Sequence, residues 1–131
     1  MIVVDASVLV NALADDGHDG DLARLRLAGE SLHAPQLVDL EVLSVLRRHA
    51  AIGQLDDRRL ALALTDLADL PLTRYPHLVF APRIWQLRES LTPYDAAYVA
   101  LAETLECPLV TVDQRLANAP RVLCPVEVLT P

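Results

Sequence analysis

The sequence predicts an α/β fold, a three-layer α/β/α sandwich on a mostly parallel central sheet. Three observations predict it. Short β-branched runs alternate with longer apolar-periodic segments along the whole chain, proline and glycine punctuate the changes between them, and 131 residues suit one domain with a substantial core. One domain over residues 1–131 is therefore expected.

Residues 2–4 are a buried strand, and the apolar run 6–13 continues as a helix, so Asp5 marks a strand-to-helix junction. Residues 15–21 carry four aspartates and two glycines and predict a polar loop, followed by a short helix through Leu22, Leu25 and Leu27. Residues 31–34 predict a second strand. A long helix is expected over 35–52, with Pro35 in its first turn and Gly53 near its end. Asp56 and Asp57 open the next helix, which Pro71 closes, and residues 72–74 form a short strand. Helices follow at 77–89 and 93–105, a strand at 109–112, a short helix at 114–117 and a last strand near 126–129.

The apolar fraction of 53% and the mean hydropathy of +0.30 are high for a soluble monomer. No uncharged apolar run approaches the roughly 20 residues that span a bilayer, so a partner-covered surface is the expected outlet. The start Met1-Ile2-Val3-Val4-Asp5 has no basic region, and a carboxylate ends its apolar run at once. No signal peptide is read, and a cytoplasmic location is expected. The net charge of -7 counts against a broad polyanion-binding face. It leaves a metal-bridged phosphate open.

Four carboxylates stand inside or against apolar stretches: Asp5, Glu41, Asp95 and Asp113. Isolated ionised acids are costly in such company unless paired, hydrogen-bonded or held on a cation. Asp5 and Asp113 each follow a predicted strand, which places both on the carboxyl rim where α/β folds gather ligands. Thr111 lies two residues before Asp113 and points to the same side of its strand. Each acid also has a structural alternative. Asp5, with Ser7 beside it, suits a helix N-cap, Asp113 suits the same role before Gln114, and Thr92-Pro93-Tyr94-Asp95 reads as a capping box. Glu41 is read as a mid-helix acid on a face with Leu37, Val38 and Val45, where a cap does not account for it and the structural alternatives are a partner arginine or a place at the edge of the stripe; Asp39 reads as one such solvated acid.

As a set, the four acids suit Mg²⁺ or Mn²⁺, hard ions bound through carboxylates, water and substrate phosphate. The aspartates of 15–21 fail the EF-hand spacing, because His18 and Gly20 fall where ligands belong. His18, His33, His49 and His77 share no metal spacing, and Ser7 lacks a nucleophile-elbow context. Cys107 and Cys124 each precede a proline and read as reduced, packed residues. The pairs Arg47-Arg48 and Arg58-Arg59 read mostly as solvated surface.

The residues resemble the PIN-domain family, and within it the VapC-type toxins of bacterial toxin–antitoxin pairs. The resemblance rests on Val3-Val4-Asp5-Ala6-Ser7-Val8-Leu9-Val10, Leu40-Glu41-Val42, Pro93-Tyr94-Asp95-Ala96-Ala97-Tyr98-Val99 and Leu109-Val110-Thr111-Val112-Asp113-Gln114-Arg115-Leu116, in that order over essentially the whole chain. It implies that Asp5, Glu41, Asp95 and Asp113 form a pocket for Mg²⁺ or Mn²⁺, supported by Ser7 and Thr111. It further implies endoribonuclease activity leaving a 5′-phosphate and a 3′-hydroxyl, homodimerisation, and inhibition by a small antitoxin protein. Asp5 and Asp95 are expected to hold the principal ion. Glu41 and Asp113 are expected to complete the pocket through water or a second ion, and either could be the general base.

Other classes fit less well. A receiver domain needs a late lysine, which the chain lacks, and a haloacid-dehalogenase-like phosphatase wants a second acid where Ser7 stands. An RNA-processing nuclease without an antitoxin and a catalytically silent interaction module remain as alternatives.

Overall fold

The computed structural model describes residues 1–130. Its elements are β1 (Ile2–Val4), α1 (Ala6–Ala14), α2 (His18–Leu27), β2 (Leu32–Pro35), α3 (Val38–Ala51), α4 (Asp57–Asp69), β3 (Leu72–Tyr75), a 3₁₀ turn (Leu78–Phe80), α5 (Ala81–Gln86), α6 (Pro93–Leu105), β4 (Leu109–Thr111), α7 (Gln114–Asn118) and β5 (Val126–Val128).

The five strands form one sheet in the order β3-β2-β1-β4-β5, and every pairing is parallel. The sheet was expected to be mostly parallel and is wholly so. The chain starts at the centre, builds outward through β2 to β3, then returns to place β4 and β5 on the other side of β1. The order therefore reverses between β1 and β4, the switch point where open α/β sheets leave a crevice.

Helices flank the sheet on both sides. α1 packs against α2, α3 and α4, while α6 packs against α5 and lies on β1, β2 and β4. Every residue from Ala96 to Ala102 is buried, which is why the α6 sequence is apolar all round rather than striped. The short strands β1 and β4 are buried throughout for the same reason: both faces are covered.

Several boundaries differ from the sequence reading, each with a local cause. Pro35 is the last residue of β2 rather than the first turn of a helix, and α3 begins at Val38. Helix α2 starts at His18, because Asp15 turns the chain by accepting a hydrogen bond from the Gly17 amide at 2.6 Å. The expected helix over 77–89 is a 3₁₀ turn running into the short α5. Asp56 caps α4 through the Arg59 amide at 2.8 Å, as its position suggested.

Candidate active site

In a parallel α/β unit the helices run opposite to the strands, so strand ends and helix starts share one rim. Asp5 and Asp113 follow β1 and β4 directly, while Glu41 and Asp95 lie in the first turns of α3 and α6. That is how residues scattered from 5 to 113 come to one place. Partial positive charge at the two helix starts also favours carboxylates there.

Asp5 occupies the N-cap position of α1, yet its side chain makes no capping hydrogen bond. Its Oδ2 instead accepts from Thr111 Oγ1 at 2.7 Å and from Ser7 Oγ at 3.1 Å. Both hydroxyl bonds fall on one oxygen. The residue is only 9% exposed. Burial pushes its carboxyl above the ordinary range, and the two hydroxyls and nearby amides oppose that push.

Glu41 is a first-turn acid rather than a mid-helix one. The core stripe of α3 runs through Val38, Val42 and Leu46, and Glu41 stands at its edge. Its Oε1 accepts a hydrogen bond from the Tyr98 hydroxyl of α6 at 2.6 Å. Burial raises its pKa, the Tyr98 bond opposes this, and the charges of Asp5 and Asp95 add to the rise.

Asp95 gives its amide to Thr92 Oγ1 at 3.2 Å, so Thr92 caps α6 as the sequence suggested, and the Asp95 carboxylate is not spent on the cap. That carboxylate is half-buried. Burial raises its pKa, the charges of Asp5 and Asp113 reinforce the rise, and Arg115 and Thr92 oppose it.

Asp113 caps α7, accepting from the Arg115 amide at 2.9 Å. The Arg115 guanidinium also engages both carboxylate oxygens, Nε to Oδ1 at 3.0 Å and Nη2 to Oδ2 at 2.6 Å. That clamp holds Asp113 below the ordinary carboxylate range, opposite to the other three acids. Thr111 links the two strand ends: fully buried, its Oγ1 donates to Asp5 and accepts from the Asp113 amide at 3.0 Å. Ser7 Oγ accepts from the Val112 amide at 3.4 Å, a tie between the first turn of α1 and the end of β4.

Two residues at this site escaped the sequence reading. Tyr98 stands three positions after Asp95 on the same helix, a lone phenol in an apolar run. Arg115 stands two after Asp113. The remaining candidates lie elsewhere. Asp16 pairs with Arg59 and Asp21 with Arg24. Arg59 also donates to the Leu13 carbonyl, so it tethers α4 to α1 rather than standing as solvated surface. Asp39, read as solvated, is held by Arg74 of β3 through two hydrogen bonds of 2.6 and 2.8 Å. His33 is buried between the Ser31 and Tyr75 hydroxyls at 2.7 and 2.6 Å, where burial lowers its pKa. Both cysteines are free.

The donor set fits a hard divalent ion. Asp5 and Asp95 act on Glu41, Asp5 and Asp113 act on Asp95, and burial disfavours the charged forms of Asp5, Glu41 and Asp95. Among the described residues no three acidic, histidine or cysteine side chains form a ready-made cage. Mg²⁺ does not require one, since it commonly takes one or two carboxylates and completes its shell with water and phosphate.

A PIN-domain model matches residues 2–122. The chain belongs to the PIN-domain family. This PIN domain is 48% identical over 132 residues to VapC ribonuclease Mb0985 of Mycobacterium bovis, covering 98% of each chain. It is 41% identical over 131 residues to ribonuclease VapC1 of Mycobacterium tuberculosis, covering 97% of this chain and 96% of that one. Among solved structures, a chain of a toxin–antitoxin complex from Klebsiella pneumoniae matches the PIN domain with a TM-score of 0.63 at 19% identity, covering 98% of this chain and 100% of that one. That likeness bears on the fold, and the two sequence relatives carry the family match along nearly the whole chain.

Proposed function

We propose that this chain is a divalent-metal-dependent endoribonuclease acting as the toxin of a toxin–antitoxin pair. The observation that carries the reading is the convergence of Asp5, Glu41, Asp95 and Asp113 on one strand rim, in a family whose full-length relatives are named VapC ribonucleases.

Asp5 and Asp95 would hold the principal Mg²⁺ or Mn²⁺, with Glu41 and Asp113 completing the pocket. When bound, the ion supplies Lewis acidity: it makes water a better nucleophile near neutral pH and neutralises charge on the scissile phosphate. Thr111 and Ser7 fix the Asp5 carboxylate toward the ligand. Glu41 is the better general base, because the Tyr98 hydroxyl holds one of its oxygens and fixes the carboxylate beside Asp5 and Asp95. Tyr98 keeps Glu41 oriented toward the attacking water.

The reading extends to a cytoplasmic protein built as one nuclease domain, cutting RNA and held in check by a small antitoxin, with two copies of the chain forming a homodimer. Exposed Leu40, Leu78, Val79, Trp85 and Tyr94 supply apolar surface for such partners. Among the described residues no helix is long and apolar enough to cross a membrane.

Asp5→Asn and Asp95→Asn test the pocket in an RNA cleavage assay run with Mn²⁺ and with EDTA. Loss of cleavage in folded variants, with loss in EDTA for the wild type, is the expected result. Undiminished cleavage by either folded variant would remove the assignment. Co-expression with the product of a small adjacent reading frame tests the antitoxin: growth arrest without it and growth with it are expected.

A further inference from the structure

Among the described residues, Arg115 is the only basic side chain whose charge acts on any of the four acids: it clamps Asp113 directly and also acts on Asp95. It differs from the arginines that hold the fold together. Arg26, Arg59, Arg74 and Arg83 pair with acids far along the chain or on the next helical turn, and their side chains are 22% to 27% exposed. Arg115 pairs with an acid two residues away, and its side chain is 83% exposed. The pair joins no second element to the site. The start of α7 is already secured by the Arg115 amide on Asp113, so the guanidinium is not needed for the cap.

A bidentate guanidinium fork fits a carboxylate and a phosphate equally well. A strand of RNA approaching this rim meets four carboxylates and needs a cation beyond any bound ion. An ion drawing on the Asp113 oxygens weakens their hold on Arg115 at the point where that cation is needed.

We propose that Arg115 is a phosphate-positioning residue that exchanges its Asp113 partner for a backbone phosphate of bound RNA, an exchange favoured when a divalent ion engages Asp113. The proposal rests on the ribonuclease reading above. It gives Arg115 two effects of opposite sign: it competes with the ion for Asp113 and strengthens the hold on RNA.

Two measurements on the full chain test it, with thermal melts confirming that each variant is folded. In the first, a fluorescein-labelled mixed-sequence single-stranded RNA with a phosphorothioate backbone is titrated in Mn²⁺ at several salt concentrations. Arg115→Ala is expected to weaken binding about tenfold and to lower the salt slope by about 0.7, the value of one single-strand phosphate contact. Arg115→Lys keeps the charge, so it should keep most of the slope while losing part of the affinity. In the second, calorimetry without RNA should show Arg115→Ala binding Mn²⁺ severalfold more tightly than the wild type. An unmoved salt slope in Arg115→Ala, or weaker Mn²⁺ binding, overturns the assignment while leaving the nuclease reading intact. A wild-type chain that binds neither Mn²⁺ nor this RNA overturns both.

Discussion

The Tyr98 hydroxyl donates to Glu41 Oε1 at 2.6 Å, joining α6 to α3 between residues 57 positions apart. Tyr98 is fully buried, and Glu41 is half-buried beside two other acids. The bond therefore stabilises the charged form of a carboxylate that its surroundings otherwise disfavour.

Tyr98→Phe keeps the ring packing and removes only the donor. It should cost about 1.5–3 kcal/mol of stability, the range for a hydrogen bond to a charged group. Glu41 should titrate still higher, because the interaction opposing its rise is lost. The acid limb of the pH–rate profile should move to higher pH. An unshifted limb in an active Tyr98→Phe protein would show that Glu41 is not the group that limb reports.

The shifted acids also predict an unusual pH dependence of stability. Asp5, Glu41 and Asp95 all titrate above their ordinary values of 3.8 and 4.5, so the stability they contribute is present below those values and is lost as pH rises through the raised ones. Asp113 has the opposite sign: its contribution is present above 3.8 and lost as pH falls through its lowered value. In EDTA the three raised acids should therefore pull stability down toward neutral pH, while Asp113, Asp16 and Glu30, lowered by their partners, and the buried His33 pull the other way. Mn²⁺ at 100 times its dissociation constant should add about 2.7 kcal/mol at neutral pH. Urea unfolding at several pH values, with EDTA and with Mn²⁺, checks both in the wild type and in Asp5→Asn: in EDTA the wild type should lose more stability toward neutral pH than the variant, or gain less, and superimposable curves count against the shared pocket.

Much of this site was legible in the sequence because the rim of a parallel sheet is a sequence-readable place: it is where strand ends and helix starts fall. Asp5 and Asp113 were placed by that rule alone, and Thr92 as the α6 cap by its spacing to Asp95. What the sequence hid depends on contacts between distant residues. Nothing local distinguishes Asp39, tied to Arg74, from a solvated helix acid. Tyr98 reads as core until Glu41 is brought to it. A helix start at Pro35 does not follow from the proline alone, since proline also suits the end of a strand, and the three-residue difference makes Glu41 a first-turn acid rather than a mid-helix anomaly.

Asp39 provides the control for the four site acids. It lies two residues from Glu41 on α3, but its carboxylate is spent on Arg74, with the two side chains 33% and 27% exposed. Solvent screens such a pair, so Asp39→Asn should cost about 1 kcal/mol and lower Tm by a few degrees. Mn²⁺ affinity and RNA cleavage should stay at wild-type levels. A loss of metal binding in Asp39→Asn would place it in the pocket after all.

Thr111 is the sharpest test of how the pocket is built, because one buried hydroxyl serves two of its acids at once. It donates to Asp5 Oδ2 and accepts from the Asp113 amide, so it fixes both the aim of one carboxylate and the backbone that carries another. Thr111→Val matches its shape but leaves a buried carboxylate short of a donor and an amide short of an acceptor. Each loss is worth about 1–3 kcal/mol when the group is buried. The variant should lose stability and also weaken Mn²⁺ binding, since the Asp5 carboxylate is no longer aimed. Thr111→Ser restores the hydroxyl at the expense of a methyl group in a packed site, so it should recover Mn²⁺ affinity fully and stability only in part. If Thr111→Val binds Mn²⁺ like the wild type, the hydroxyl stabilises the strand ends but does not position Asp5. If Thr111→Ser fails to restore binding in a folded protein, packing rather than the hydrogen bond sets the geometry.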